Sequence, residues 1–433
     1  MNILHLNSSD HGGAARAMVR LNQGLQRQGH NSQILVGQRM TQEPGIEDVN
    51  SQAQPFRSFV DKVLDPIALS LELRFSLNAR SHRNSWHVPK MPIFQHADVI
   101  NLHNLHGGYF NYRALTVLAR HKPVVWTLHD MWALTGHCAY SYGCERWRTG
   151  CYSCPLLREP GRQIVEPAPV LVDHSRAVWE SKRDVYSMTP LHVITPSKWL
   201  HNLVQESILS TASSIRFIPY GVDLDIFRPL ERRIARQALD LPIDKYVVFF
   251  SAMGGSDGRT MNGRKGFSHL LQALERLPDS QSIWLLTSGG VTDLERYTRH
   301  FNIRQLGHLS DEELQRKAFA AADLFVFPTL ADNLPLVLIE ALACGTPIVA
   351  FDVGGVSELV CHMETGYLAR YKDADDLSHG IQVLLQDEGL RSLMSHHCRT
   401  IAESEYSLEV QAQRYLDVYE EAIERTRELP HPN

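Results

Sequence analysis

Long apolar runs are missing from this sequence of 433 residues. No window approaches the roughly 18 to 20 uninterrupted apolar residues that a membrane-spanning helix needs, so no span is expected. The nearest stretch, FRSFVDKVLDPIALSLELRF at 56–75, is interrupted by Arg57, Lys62 and Arg74. It predicts an amphipathic helix packed on its own domain, with peripheral contact at a membrane surface as the alternative. Positive charge is not in excess either: 43 Lys plus Arg stand against 48 Asp plus Glu, a formal charge of −5. That balance argues against a nucleic-acid partner held by a broad basic surface. The amino-terminal MNILHLNSSDHGG has neither a basic leader nor a long apolar core, so a signal peptide is not expected and a cytoplasmic location is. Low-complexity segments and short solenoid-type repeats are absent too. With 43% hydrophobic and 21% charged residues, the chain has an ordinary globular balance and length for about two or three domains.

What is present is alternation. Short β-branched runs at 3–6, 32–37, 98–103, 124–130 and 192–197 predict strands, separated by helical patterns. Between the first two, Met18, Leu21 and Leu25 recur at helical spacing and Gly29 follows as a stop. Past residue 240 the pattern restarts with YVVFFSAM at 246–253, then SIWLLTSG, DLFVFPT at 323–329 and PIVAFDVGG at 347–355. Such alternation predicts parallel sheets with helices on both faces. Two of them imply two Rossmann-like domains. The join is expected in SIRFIPYGVDLDIFRP, 214–229, and a last long helix over about 408–427 needs a surface to pack on.

Open α/β sheets bind ligands beyond the carboxyl ends of their strands, where helix amino termini gather. In DNLPLVLIEALACG, 332–345, Pro335 suits a first helical turn and Gly345 a stop. Glu340 lies among Leu336, Val337, Ala343 and Cys344 on its own helix face, so a buried carboxylate in need of a partner is expected there. The start of that helix would attract an anion such as phosphate, with Asp332 in its entry loop. A phosphate-bearing ligand with hydroxyl groups, such as a nucleotide sugar, fits that set. A second candidate anion loop, GGSDGRTMNGRKGF at 254–267, offers Arg259, Arg264 and Lys265 but lacks the P-loop spacing. A third, DHGGAAR at 10–16, places Gly12 and Gly13 between strand and helix. His129 and Asp130 of TLHD stand at a strand end, as do His103 and His106 of NLHNLHGG; for the latter two a purely structural role is the preferred reading.

Four of the seven cysteines, Cys138, Cys144, Cys151 and Cys154, fall within seventeen residues. Close cysteines in a cytosolic chain favour metal over disulfides, and four thiolates suit a structural tetrahedral zinc. The irregular spacing leaves a disulfide or free thiols open.

Taken together, IPYGVDLDIFRP, RKGF, ADLFVFPTLADNLPLVLIEALACGTPIVAFDVGGVSELV and TGYL resemble the glycosyltransferase family 4 pattern. In the amino half, NSSDHGGAAR, VVWTLHDMWALTGHCAY and GCERWRTGCYSCP resemble a subgroup of exopolysaccharide and colanic-acid-type biosynthesis. The resemblance implies the α/β GT-B fold, with two Rossmann-like domains whose parallel sheets face each other across a cleft. It implies an acceptor domain at 1–220, onto which the 408–427 helix packs back, and a sugar-donor domain at 221–407. It also implies a retaining transfer from a nucleoside-diphosphate sugar, most simply a UDP- or GDP-sugar, to a saccharide or lipid-linked saccharide, with the inner membrane face as an alternative site of work and no catalytic cofactor.

Position by position, the resemblance puts the family's paired acids on Asp332 and Glu340, with Glu340 on the ribose hydroxyls. Asp332 departs from the usual Glu. Lys265 fits the diphosphate lysine; the arginine expected five positions earlier is replaced by Thr260, so Arg259 or Arg264 would substitute. Asn333, Leu334, Pro335, Leu336 and Val337 would hold the diphosphate from the loop and helix start, Gly307, His308 and Leu309 would cradle the base, and His129 would point at the donor sugar. A nucleotide-sugar 2-epimerase on the same fold, or a nucleotide-sugar-binding protein without catalysis, are the competing readings.

Overall fold

The computed structural model describes residues 1–53, 67–68, 70–72, 74–77, 82–157, 170–252, 263–290 and 302–428. Most of the amphipathic stretch at 56–75 lies outside them. The chain forms two compact units, one of residues 1–219 with 411–433 and one of residues 220–410.

In the first unit the strands are β1 (Asn2–Ser9), β2 (Asn31–Gln38), β3 (Ile46–Asp48), β4 (Val99–Leu102), β5 (Val124–Thr127), β6 (Leu191–Thr195) and β7 (Ser214–Phe217). All pair in parallel, in the order β3-β2-β1-β4-β5-β6-β7. Strand side chains alternate between faces, and the core divides accordingly. Leu4, Leu6, Ile100, Leu102, Val124, Trp126 and Val193 pack on one side. Ile3, Val99, Val125 and Ile194 pack on the other, against Leu21 and Leu25 of the Gly13–Arg27 helix. The carboxyl-terminal helix, Leu408–Glu428, completes that second face with Ala412, Tyr415, Leu416 and Tyr419. Its tyrosines keep their hydroxyls partnered, Tyr419 with Asn101 at 2.8 Å and Tyr415 with Thr127 at 3.2 Å.

The second unit has β8 (Tyr246–Ala252), β9 (Ile283–Gly289), β10 (Asn302–Gln305), β11 (Leu324–Phe327), β12 (Ile348–Phe351) and β13 (Gly366–Ala369). They too are parallel, in the order β10-β9-β8-β11-β12-β13. Val248, Phe250, Leu285, Val326 and Val349 meet Phe267, Leu270 and Leu274 of one helix and Leu377, Ile381 and Leu384 of another. In both sheets the strand order reverses once, between β1 and β4 and between β8 and β11. Those reversals open the crevices where doubly wound sheets take ligands.

Candidate functional site

In the second unit the candidate residues collect at the reversal between β8 and β11. Gly266 caps the Phe267–Glu275 helix at φ 71°, a left-handed conformation that suits glycine. A Cβ there would lie 1.8 Å from the Pro328 carbonyl oxygen, so only glycine fits. This close approach lets the loop after β11 bond to the segment before the helix: Leu330 N donates to Arg264 O at 2.7 Å, and Thr329 Oγ1 to the same oxygen at 3.2 Å. The two loops are thereby held together, and Lys265 Nζ meets Asp332 Oδ2 at 2.7 Å. The Lys265 ammonium also lies 5.0 Å from the centre of the Phe327 ring.

Burial pulls the Asp332 carboxyl up, but Lys265 and then Arg264 outweigh it and hold it below the ordinary range. Burial lowers Lys265 in spite of its partner. Two residues expected to touch a sugar donor separately therefore hold each other. Arg264 lies beside them, with Nη1 3.4 Å from Ala331 O; Arg259 lies outside the described residues.

Asn333 and Leu334 are buried in the loop that leads to the Leu336–Ala343 helix. Pro335 stands just before its first residue, φ −70°, and no side chain caps the helix; Leu336 is buried and Val337 half-buried. The amides of a first helical turn have no partner within the helix and carry its positive dipole end. Glu340 is fully buried. The burial expected for it is accompanied by a partner within the protein: the Gln315 side-chain amide donates to Glu340 Oε2. Gln315 belongs to the Glu312–Ala321 helix, so a reading confined to one helix face could not find it. Gly307, at φ 69°, is tied to the end of β9 through its carbonyl, which accepts from Gly289 N at 2.6 Å. His308 is exposed and Leu309 is in the core.

The first unit carries a second group at its own reversal. Gly12, at φ 95°, precedes the Gly13–Arg27 helix, and a Cβ at Gly12 or Gly13 would meet nothing within 4 Å. Asp10, just before them, accepts from Met40 N, Thr41 N and Thr41 Oγ1 at 2.7, 2.8 and 2.6 Å. Beyond β4 and β5 the histidines cluster. His129 Nε2 lies 2.8 Å from His103 Nδ1, and His103 Nε2 lies 3.0 Å from His5 Nδ1. Burial lowers all three: His5 to about 3, His129 to about 4 against the pull of Asp130, and His103 well below the ordinary range. His106 Nε2 contacts Asp130 Oδ2 at 2.8 Å, while Asp130 Oδ1 accepts from Trp132 N. His103 and His106 thus each contact a member of TLHD.

Cys138, Cys144, Cys151 and Cys154 line one small cavity with His137, and none forms a disulfide. The structural-zinc expectation is not met by this arrangement. Among the described residues no three His, Cys, Asp or Glu side chains form a group that could hold a metal ion. Burial pushes the Cys138, Cys151 and Cys154 thiols up. His137 Nε2 instead lies 3.1 Å from Cys154 Sγ, and Gly136 N donates to Cys151 Sγ at 3.2 Å.

Comparison with known families matches residues 11–226 to the model of Glycosyltransferase Family 4 and residues 255–401 to that of Glycosyl transferases group 1. The chain belongs to glycosyltransferase family 4. Among its relatives is WcaC of Escherichia coli, described as a colanic acid biosynthesis glycosyl transferase, 28% identical over 81% of this chain and 83% of that one. A D-inositol 3-phosphate glycosyltransferase of Xylanimonas cellulosilytica is 26% identical over 96% and 94%. Solved structures share the fold. Sucrose-phosphate synthase of Thermosynechococcus elongatus superposes with a TM-score of 0.66 at 19% identity, covering 98% of this chain and 100% of that one. Anabaena HepE in complex with UDP and glucose gives 0.63 at 17%, covering 97% and 99%. This glycosyltransferase is therefore a GT-B protein, and among its described residues no helix is long and apolar enough to cross a membrane.

Proposed function

We propose that this glycosyltransferase moves a sugar, with retention of anomeric configuration, from a nucleoside-diphosphate sugar to a saccharide or lipid-linked saccharide acceptor in cell-surface polysaccharide synthesis. The observation that carries the reading is the Lys265–Asp332 pair held at 2.7 Å by the Gly266 turn, next to the uncapped start of the Leu336–Ala343 helix. A desolvated ammonium beside helix amides is an electropositive seat for a diphosphate. The acids at 332 and 340 supply acceptors for sugar and ribose hydroxyls. The family match and the UDP and glucose named with HepE support such a donor, and WcaC supports the polysaccharide context.

In this reading residues 220–410 bind the sugar donor and the first unit binds the acceptor. Lys265, with Arg264, bears on the diphosphate; Glu340, steadied by Gln315, takes the ribose; Gly307, His308 and Leu309 flank the base; and His129 lies toward the donor sugar, with Gly12 and Gly13 allowing close approach. The acceptor hydroxyl attacks the anomeric carbon on the face the diphosphate leaves. The bond from that carbon to the phosphate oxygen breaks, the new glycosidic bond forms, and the hydroxyl proton passes to the departing phosphate oxygen. The protein's part is positioning and stabilisation of the leaving charge.

Nucleotide release from UDP-, GDP- and ADP-sugars, measured with and without acceptor extracts, tests this. Release that requires acceptor is expected. Sugar interconversion with little nucleotide release would indicate an epimerase, and binding without either would indicate a protein that has lost catalysis; both would overturn the proposal.

A further inference from the structure

We propose that His5 and His103 are positioning residues which, through one chain of imidazole hydrogen bonds anchored on Ser32, fix His129 as the tautomer that carries its proton on Nδ1. The chain runs from Ser32 Oγ to His5 Nε2 at 3.1 Å, from His5 Nδ1 to His103 Nε2 at 3.0 Å, and from His103 Nδ1 to His129 Nε2 at 2.8 Å. Ser32, His5 and His103 are at most 3% exposed. β1, β4 and β5 are neighbours in the sheet, so one histidine on the first and one just past the end of each of the others fall in a row.

A hydrogen bond between two ring nitrogens needs one N–H and one lone pair, and a neutral imidazole has one of each. Burial keeps all three rings neutral. The direction of one bond therefore dictates the others, and only two arrangements exist. In the first, every N–H points away from Ser32: His5 donates from Nδ1, His103 donates from Nδ1, and His129 accepts on Nε2 and keeps its hydrogen on Nδ1. In the second, every N–H points toward Ser32 and His129 Nδ1 is a lone pair.

Ser32 chooses between them. Among the described residues, the hydrogen bond made by its hydroxyl is the one to His5. In the first arrangement its proton is donated to His5 Nε2. In the second it must accept from His5, and the buried hydroxyl proton then has no acceptor, at the cost of an unmade hydrogen bond. The His103 carbonyl accepts from Trp126 Nε1 at 2.9 Å, which fixes the backbone from which the middle ring projects in either arrangement. In the first, His129 is a hydrogen-bond donor at Nδ1, suited to an oxygen of a sugar hydroxyl. That consequence rests on the proposed placement of His129 beside the donor sugar; the tautomer itself does not.

The test uses the full-length protein with nitrogen-15 in its histidines. Long-range proton–nitrogen correlation at pH 7.5 reads the tautomer of each ring, with His129 assigned by the signal lost in His129→Gln. The expected wild-type spectrum has His5, His103 and His129 all neutral and protonated at Nδ1. His103→Leu, which cuts the chain, should move His129 toward the Nε2–H form favoured by an isolated imidazole. His103→Asn, which keeps an N–H near the position of Nδ1, should leave it in place. A wild-type His129 protonated at Nε2, or one whose tautomer is the same in His103→Leu, would overturn the inference. Should His103→Leu not fold, the wild-type spectrum decides alone. In transfer assays His103→Leu should lower kcat about tenfold, as for one misdirected hydrogen bond, with the donor KM within about twofold and His103→Asn largely restored. A changed tautomer with unchanged kcat would overturn the positioning role while leaving the chain itself standing.

Discussion

Lys265→Ala removes an ammonium that stands 2.7 Å from Asp332 Oδ2, between side chains only 15% and 16% exposed. Breaking a buried ion pair from one side costs about 3–5 kcal/mol because the remaining charge is left unpaired. Some solvent reaches this pair, and Arg264 still bears on Asp332, so the low end, about 3 kcal/mol, is expected. In a unit of this size that lowers the melting temperature by about 6–12 °C. The double variant Lys265→Ala/Asp332→Ala leaves no orphaned charge and should recover stability to within about 1 kcal/mol of the parent. Activity should behave differently. If Lys265 stabilises the departing diphosphate, turnover falls about 10²-fold in the single variant and stays low in the double. Thermal unfolding and acceptor-dependent nucleotide release on the same three proteins separate the two effects. Recovery of turnover together with stability would refute the reasoning, since Lys265 would then serve only to neutralise Asp332.

Gly266→Ala forces a side chain into a left-handed backbone and against the Pro328 carbonyl; a loss of at least about 3 kcal/mol in denaturant unfolding is expected, with donor binding weakened because the two loops separate. Glu340→Ala deprives the Gln315 amide of its carboxylate acceptor, a cost of about 1–3 kcal/mol, and initial-rate kinetics should show the donor KM raised more than kcat is lowered. Acid should weaken the first unit: His5 and His129 titrate at about 3 and 4 when folded but near their ordinary 6.5 when unfolded, so below pH 6.5 the unfolded chain takes up protons that the folded one refuses. Stability from each ring is present above that pH and is lost as pH falls toward the folded value, about 2 kcal/mol per ring by pH 5. Denaturant midpoints at pH 7.5 and 5.0 check this, and His5→Phe should diminish the difference.

Much of the architecture is legible in the sequence, and what is missed follows a rule. The strands predicted from apolar runs are the interior ones. Those without such runs, β3, β7, β10 and β13, are the four sheet edges. An interior parallel strand is covered on both faces and reads as continuous apolar sequence. An edge such as Ser214–Phe217 or Asn302–Gln305 keeps exposed positions and reads as a linker. For the same reason β7 is hidden within the expected join, whose Pro219 ends the first unit.

The site divides in a similar way. Lys265, Asp332 and Glu340 are legible because each lies in a local motif of strand, loop and helix start. Gln315 and the His5–His103–His129 chain are not, because their partners come from elements 25 to 98 positions apart and only the sheet order makes them neighbours. A signal was nonetheless present in three histidines on or just past apolar runs that prove to be adjacent strands. The cysteine spacing, by contrast, leaves zinc, a disulfide and free thiols all open, and the arrangement is one of unbridged thiols around a cavity; four cysteines in a short stretch fix their proximity but not the direction of their sulfurs.

The central claim is that the 220–410 unit seats a nucleoside-diphosphate sugar on Lys265, the Leu336 helix start and Glu340. Calorimetric titration of the full-length protein with UDP-, GDP- and ADP-sugars, repeated on Lys265→Ala and Glu340→Ala, tests it most directly. Saturable binding of at least one of these sugars is expected, weakened at least tenfold in each variant, about 1.4 kcal/mol. Absence of binding by all three, or binding that both variants leave unchanged, would contradict it.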